Sequence, residues 1–412
     1  MEKKKHWAIL ISSETKPEAI TDQLFNTSKP AVFKSIQSLN GALFSNAVLS
    51  RFIYEEEKHE RHLPSKNTRQ PIALMSGGEQ KKLLLNHLLQ QDPGFLVLDS
   101  PFDNLDAASQ LDLEDKLDAL STKIPIILIV RRKKDILPFV SEMLSYEEGT
   151  FKPLKKMGPD KSSDPEIYKG TVPLPLEEQT YSKEVLIAFN NIAVSYGNSS
   201  VLKDINWIIK PGTFWQLTGP NGSGKTTLLS MINGDNVKGY GQDLQIFGNK
   251  KGSGESVWDL KSRIGFFTNN MIQQFTGRYT VIEMLTAGFF DSVGLYQIPS
   301  ELQIKKSEEW LAFLDLEHLR DTAFSELSLG QKYLVMIARA MIKHPLLLIL
   351  DEPTNALDDT SVKLLVSLIN KIAAESKSAI LYVSHREEKG LNPDHIFQLV
   401  PGPEGSIGKV IK

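Results

Sequence analysis

"MSGGEQKKLLLNHLLQQDPGFLVLDSPFDNLD" (75–106) and "LSLGQKYLVMIARAMIKHPLLLILDEPTNALD" (327–358) lie over one another without a gap. Ser76 falls on Ser328, Gly78 on Gly330, Asp99 on Asp351 and Asp106 on Asp358. One such match is cheap. Four in one register, with the apolar pattern between them kept, mark an internal repeat at domain scale. Each copy opens with a serine suited to capping a helix and continues with apolar residues at helical spacing. Each then turns at a proline ("QDPG", "KHPL") and ends in an apolar run closed by aspartate. A run that is apolar at every position is a strand covered on both faces, as in parallel sheets. Helices alternating with such strands predict an α/β fold for both halves.

A chain of 412 residues is long enough for two domains with their own cores. A formal net charge of −3 gives no electrostatic capture of nucleic acid or of an anionic membrane, so no direct nucleic-acid binding is expected. The absence of cysteine excludes disulfides and thiolate metal sites. The longest apolar stretches, such as "IPIILIV" (124–130) and "PLLLIL" (345–350), are strand-sized, short of the roughly 20 residues a spanning helix needs. The N-terminal "MEKKKHWAILI" lacks the apolar length and cleavage site of a secretory leader. The expectation is a cytoplasmic protein, peripheral at the inner face of a membrane only where another subunit supplies the membrane part.

Residues 151–184 are rich in Pro, Gly and Ser and read as an extended linker. They divide a first domain, 1–150, from a second, 185–412. The second opens with strand-like text, "VLIAFNNIAVSYG" (185–197) and "VLKDINWIIKPG" (201–212); the first has no such lead-in and is the shorter. The cluster "EEEKHERH" (55–62) reads as a charged surface loop rather than a metal site.

The chemistry concentrates in the second domain. "LTGPNGSGKTTLL" (217–229) follows an apolar strand, precedes an apolar helix, and contains G-x-x-x-x-G-K-T. In such a loop Gly219, Pro220, Asn221, Gly222, Ser223 and Gly224 wrap the phosphates of ATP, and every one but the proline turns a backbone N–H onto them. Thr227 continues the helix start, Lys225 reaches the β- and γ-phosphates, and Thr226 offers a hydroxyl to Mg²⁺. "LLLILDEP" (346–353) supplies Asp351 for Mg²⁺ and Glu352 to polarise the attacking water. "LYVSHREE" (381–388) ends a further strand at His385, where a γ-phosphate sensor sits.

With those pieces in hand, "LSLGQ" (327–331) and "MSGGEQ" (75–80) resemble the signature of the ATP-binding-cassette (ABC) family. The resemblance implies two tandem P-loop NTPase domains, the first truncated and degenerate. It implies that Ser76, Gly77 and Gly78 cap the γ-phosphate of ATP held by an opposite domain, within one chain or between two. It also implies adenine stacking on Tyr196. In "IGFFTNNMIQQF" (264–275) Asn269 stands where the family carries a glutamine that binds Mg²⁺ and contacts a membrane partner. Over "FWQLTGPNGSGKTT" (214–227) the first domain has "HWAILISSETKPEA" (6–19), without glycine and with Pro17 in place of the lysine. Ser100 replaces the glutamate and Arg132 stands at the place of the late histidine, so that half is expected neither to bind nor to hydrolyse nucleotide.

"GYGQDLQIFGNKKGSGESVWDLKSRIG" (239–265) and "GFFDSVGLYQIPSE" (288–301) further resemble the ModF-type subgroup, twin-cassette ATPases associated with molybdate transport genes. That implies a transport-associated ATPase with a membrane permease partner. One alternative is a soluble factor acting on ribosomes or nucleic acid; such factors carry a long, basic, helical connector, whereas this linker is short, Pro-broken and balanced in charge. The other is a non-catalytic ATP sensor, against which the intact Glu352 argues.

Overall fold

The apolar runs that close the two repeats are strands, Phe95–Asp99 and Leu347–Asp351, and each sits inside its own six-stranded sheet. The computed structural model describes residues 4–59, 70–154, 167–254, 256–275, 277–385 and 388–412. The chain divides into two units, Met1–Ser163 with Ala356–Thr360, and Asp164–Asn355 with Ser361–Lys412.

In the first unit the strand order is Gly41–Phe44, Phe95–Asp99, Ile126–Val130, Trp7–Leu10, Glu142–Glu147, Thr150–Pro153. In the second it is Ile264–Thr268, Leu347–Asp351, Ala379–Val383, Phe214–Thr218, His395–Val400, Ile407–Val410. Both sheets have five parallel strands and an antiparallel sixth. The repeat therefore extends well outside the stretch where sequence alone reveals it. A four-stranded sheet built from Asn249–Lys250, Asp243–Ile246, Ile187–Tyr196 and Ser199–Ile209 belongs to the second unit. The described residues of the first unit contain no counterpart.

Strand alternation sets the core on both faces of the first sheet. Ala8, Leu96, Leu98 and Leu128 pack under helices Gly77–Leu89 and Ala107–Ser121. Trp7, Ile9, Val97 and Ile127 pack the other face against helix Pro17–Phe25. The repeat is also written in the backbone. Three pairs of residues in corresponding places hold a left-handed conformation: Asp92 and His344 (φ 49° and 47°), Ser100 and Glu352 (47° and 50°), Asn104 and Ala356 (60° and 61°).

Two sequence expectations need correction. The first unit runs past residue 150, because Glu148 (φ 48°) and Gly149 (φ 80°) make a two-residue turn that folds Thr150–Pro153 back on Glu142–Glu147. The linker thus starts later than 151; its residues 155–166 lie outside the described ones. From 167 to 184 it forms neither helix nor strand. There it packs on the second unit, with Tyr168 stacked on Phe313 at 5.3 Å and Val172 N donating to Glu375 Oε2 at 2.7 Å. Residues 55–59 end a helix, Asn46–His59, rather than forming a loop. Glu56 is buried there and accepts from Ile72 N at 2.5 Å, a local bond that charge counting does not reveal. Residues 60–62 of that cluster are outside the described residues.

Candidate active site

The register of the second sheet brings the chemistry-bearing residues to one edge. Thr268 pairs with Asp351, Asp351 with Val383, and Val383 with Leu217. One or two residues beyond that row come Asn269, Glu352, His385 and Gly219, at the carboxyl ends of four adjacent parallel strands. Ligands of open α/β sheets bind at that edge.

The glycine loop runs from strand Phe214–Thr218 into helix Lys225–Asn233. Its conformation needs glycine. Gly224 lies at φ 98°, and a Cβ there would sit 2.5 Å from Leu202 Cδ2. Gly219 lies at φ 149°, and a Cβ there would meet Ser223 Oγ at 2.7 Å and Leu399 O at 2.9 Å. Lys225 is buried, its ammonium donating to Gly219 O at 2.7 Å and Pro220 O at 3.0 Å. The lysine thus lies within the loop it serves. Thr226 is exposed on the first turn of the helix.

Asp351 ends its strand half-buried at the sheet edge. Burial, and then the charge of Glu352 beside it, push its carboxyl up to about 6, against the opposing pull of Lys225. Glu352 is held in its left-handed turn by its N–H to Val383 O at 2.9 Å. Its Oε1 lies 2.9 Å from His385 Nδ1. The other ring nitrogen of His385, together with Ser223 Oγ and Thr218 Oγ1, is buried without a hydrogen-bond partner among the described residues. Such atoms cost about 1–3 kcal/mol each when left unmade. Unmet polar atoms, a backbone cradle that excludes Cβ atoms, a buried ammonium and a carboxylate pair fit a phosphate chain with a hard divalent cation.

Asn269 opens helix Asn269–Gln274, and its Oδ1 accepts from the buried Tyr333 hydroxyl. Tyr196 ends strand Ile187–Tyr196 and is half-exposed; its hydroxyl accepts from Asn236 Nδ2 at 2.9 Å, and Lys238 lies 5.6 Å over its ring. In the first unit Ser76 caps helix Gly77–Leu89 through a reciprocal box with Glu79. Those bonds hold the Glu79 carboxyl below its ordinary range. Gly78 is buried, and a Cβ there would lie 2.6 Å from Ser109 Oγ. Ser328 caps helix Leu329–Met341 in the same way with Gln331.

The first unit shares the six-stranded sheet and differs in the side chains at its edge. Helix Pro17–Phe25 has Pro17 at its first position, as Lys225 stands first in its own helix, and Lys16 before it is extended where Gly224 is left-handed. Thr15 N bonds Ser12 O at 3.2 Å just as Ser223 N bonds Pro220 O, so the loop closes in the same place without glycine and with Pro17, not lysine, at the helix start. Ser100 takes the left-handed position of Glu352. The expected place of Arg132 is corrected. Asp99 pairs with Ile129 as Asp351 pairs with Val383, so Arg131, not Arg132, stands where His385 does. Arg131 Nη1 accordingly donates to Ser100 Oγ at 2.8 Å, the counterpart of the contact between His385 and Glu352.

Sequence reasoning missed Tyr333. A lone tyrosine in an apolar helix reads as core, and its hydroxyl becomes visible only against Lys81 at the matching place of the first repeat.

The comparisons with known proteins agree with this geometry. The ABC transporter family profile matches residues 202–355. The ABC transporter ATP-binding protein ModF of Escherichia coli is 36% identical over 329 residues, 76% of this chain and 67% of that protein. An uncharacterized ABC transporter ATP-binding protein of Schizosaccharomyces pombe is 29% identical over 325 residues, 76% of this chain and 66% of that protein. These alignments span about two thirds of the relatives' length. The archaeal ribosome recycling factor aABCE1, solved with ribosomal stalk protein aP1, covers 98% of this chain and 85% of that one with a TM-score of 0.60. At 16% identity that likeness speaks for the fold alone. Among the described residues no helix is long and apolar enough to cross a membrane. A sheet topology repeated strand for strand and a relative above 30% identity over most of the chain lead to one assignment: the chain belongs to the ABC family of ATP-binding proteins, as a tandem of two ABC-type units of which the second alone carries a complete phosphate loop.

Proposed function

We propose that the second unit binds ATP and hydrolyses it to ADP and phosphate. The observation that most supports this is the Glu352 Oε1–His385 Nδ1 contact of 2.9 Å beside Asp351. Glu352 accepts the proton of the attacking water. His385 orients that carboxylate through Nδ1–H, and in its imidazolium form donates Nε2–H to the γ-phosphate. Lys225 and the N–H groups of Gly219, Asn221, Gly222, Ser223, Gly224 and Thr227 hold the phosphates, Pro220 fixes the turn between them, and Tyr196 stacks on the base. Thr226, Asp351 and Asn269 would hold Mg²⁺, which when bound offsets the charge on the phosphate oxygens.

The signature of the first unit, Ser76, Gly77 and Gly78 at a helix N-terminus, closes over this nucleotide, supplied by the same chain or a second copy. The first unit itself does not bind ATP, since it lacks the loop glycines, the lysine and the glutamate. The description of the Escherichia coli relative as a transporter ATP-binding protein supports work in transport, driven from the cytoplasmic side and coupled to a membrane permease subunit on another chain. No residue of the site selects molybdate or any other cargo.

The test is Glu352→Gln. Removing a positioned general base costs roughly 10²–10⁴-fold, so phosphate release falls at least a hundredfold while ATP binding, read by equilibrium dialysis, is kept. Unchanged turnover would remove the hydrolytic assignment and leave an ATP-binding module.

A further inference from the structure

The first repeat contains a control for a contact in the second. Lys81 and Tyr333 stand five residues after the capping serines Ser76 and Ser328, each buried in its helix. Asp103 and Asn355 stand three residues after Ser100 and Glu352. Lys81 Nζ donates to Asp103 O at 2.5 Å and to Pro101 O at 2.8 Å. The single proton of Tyr333 OH is shared between Asn269 Oδ1 and Asn355 O, the latter at 3.0 Å. Two unrelated side chains thus anchor the same backbone carbonyl in the same place. The tyrosine adds a second arm, to Asn269.

We propose that Tyr333 is a positioning residue for hydrolysis: its hydroxyl fixes the Glu352–Asn355 turn and the Asn269 side chain relative to one another. The turn is short, with Asn355 N donating to Glu352 O at 3.2 Å, so anchoring Asn355 O limits where the Glu352 backbone goes. Asn269 is one methylene shorter than glutamine. The phenol contact holds that shorter side chain in one place. The ring is packed edge-on to Phe267 at 5.3 Å, so the hydroxyl itself is held still. The inference rests on the reading of the second unit as a hydrolytic site.

Tyr333→Phe keeps the ring and removes both arms. The expected result is a turnover number lowered about tenfold with KM for ATP within about twofold of the parent. Without turnover, in the Glu352→Gln background, the gain in affinity for a fluorescent ATP analogue on adding Mg²⁺ shrinks several-fold. Tyr333→Lys, which copies the first repeat, recovers the turn arm and so part of the turnover. It does not recover the Mg²⁺-dependent gain. In an Asn269→Ala background Tyr333→Phe has no further effect on that gain. A purely structural tyrosine would lower the melting temperature and nucleotide affinity together and show no such split; that outcome overturns the proposal, as does turnover within twofold of the parent. If the parent itself fails to hydrolyse while still binding Mg²⁺ and ATP, the functional reading fails, and the binding comparison alone still decides the role of Tyr333 toward Asn269.

Discussion

Asp351→Asn separates what the site does for stability from what it does for chemistry. The Asp351 carboxyl is buried and beside Glu352, which lifts it from 3.8 to about 6. The folded state therefore holds the proton more tightly than the unfolded chain does. Between about pH 4 and pH 6 the unfolded chain gives up that proton and the folded state does not, so stability falls as pH rises through this window and then levels off. Two units at 1.36 kcal/mol each set the full penalty at about 3 kcal/mol above pH 6. Asparagine has nearly the same shape and no charge to bury. In metal-free protein at pH 7.5 the substitution should stabilise the second unit by about 1–3 kcal/mol, an upward shift of roughly 3–8 °C in its calorimetric transition. At pH 5 about half of that gain should remain. The same variant should lose Mg²⁺-dependent ATP hydrolysis. A transition unmoved or lowered at pH 7.5 in EDTA would refute the burial argument, because it would mean that the aspartate charge is compensated in the nucleotide-free fold.

Gly224→Ala places a Cβ 2.5 Å from Leu202 Cδ2 at φ 98°, whereas Gly222→Ala meets nothing within 4 Å at φ 77°. The first should cost about 2–4 kcal/mol by collision and strain, the second about 1 kcal/mol by strain alone, in denaturant melts; equal costs would contradict the loop packing. Ser76→Arg removes a helix cap worth about 1 kcal/mol, too little to unfold the first unit. It should block turnover while lowering ATP affinity only modestly, and retained turnover would count against the signature acting on nucleotide held elsewhere.

The α/β class was legible because parallel strands buried on both faces leave continuous apolar runs, and "FLVLD" and "LLILD" announced themselves. The glycine loop was legible because its left-handed positions restrict the residue type. The edge strand Thr150–Pro153 was not: four half-polar residues on a sheet edge carry no apolar signature, and the turn before them is only Glu148–Gly149. Arg131 was misplaced by one position for a related reason. The pairing partners of Asp99 and Asp351 lie 30 and 32 residues downstream, Ile129 and Val383, and counting along the chain cannot detect two residues lost from a connection. Tyr333 was invisible because a side chain that both packs and donates is scored by its ring. The backbone supplies the remaining lesson. Holding a non-glycine residue left-handed costs about 1 kcal/mol, yet the first unit keeps Ser100 at φ 47° where the second keeps Glu352 at 50°. The strained turn is a property of the fold, present in both repeats. What differs between the two units at this turn is the side chain that it presents, Glu352 beside His385 in the second and Ser100 beside Arg131 in the first. Sheet order, capped helix and turns are thus common to both repeats, and the two differ in a few side chains at one sheet edge.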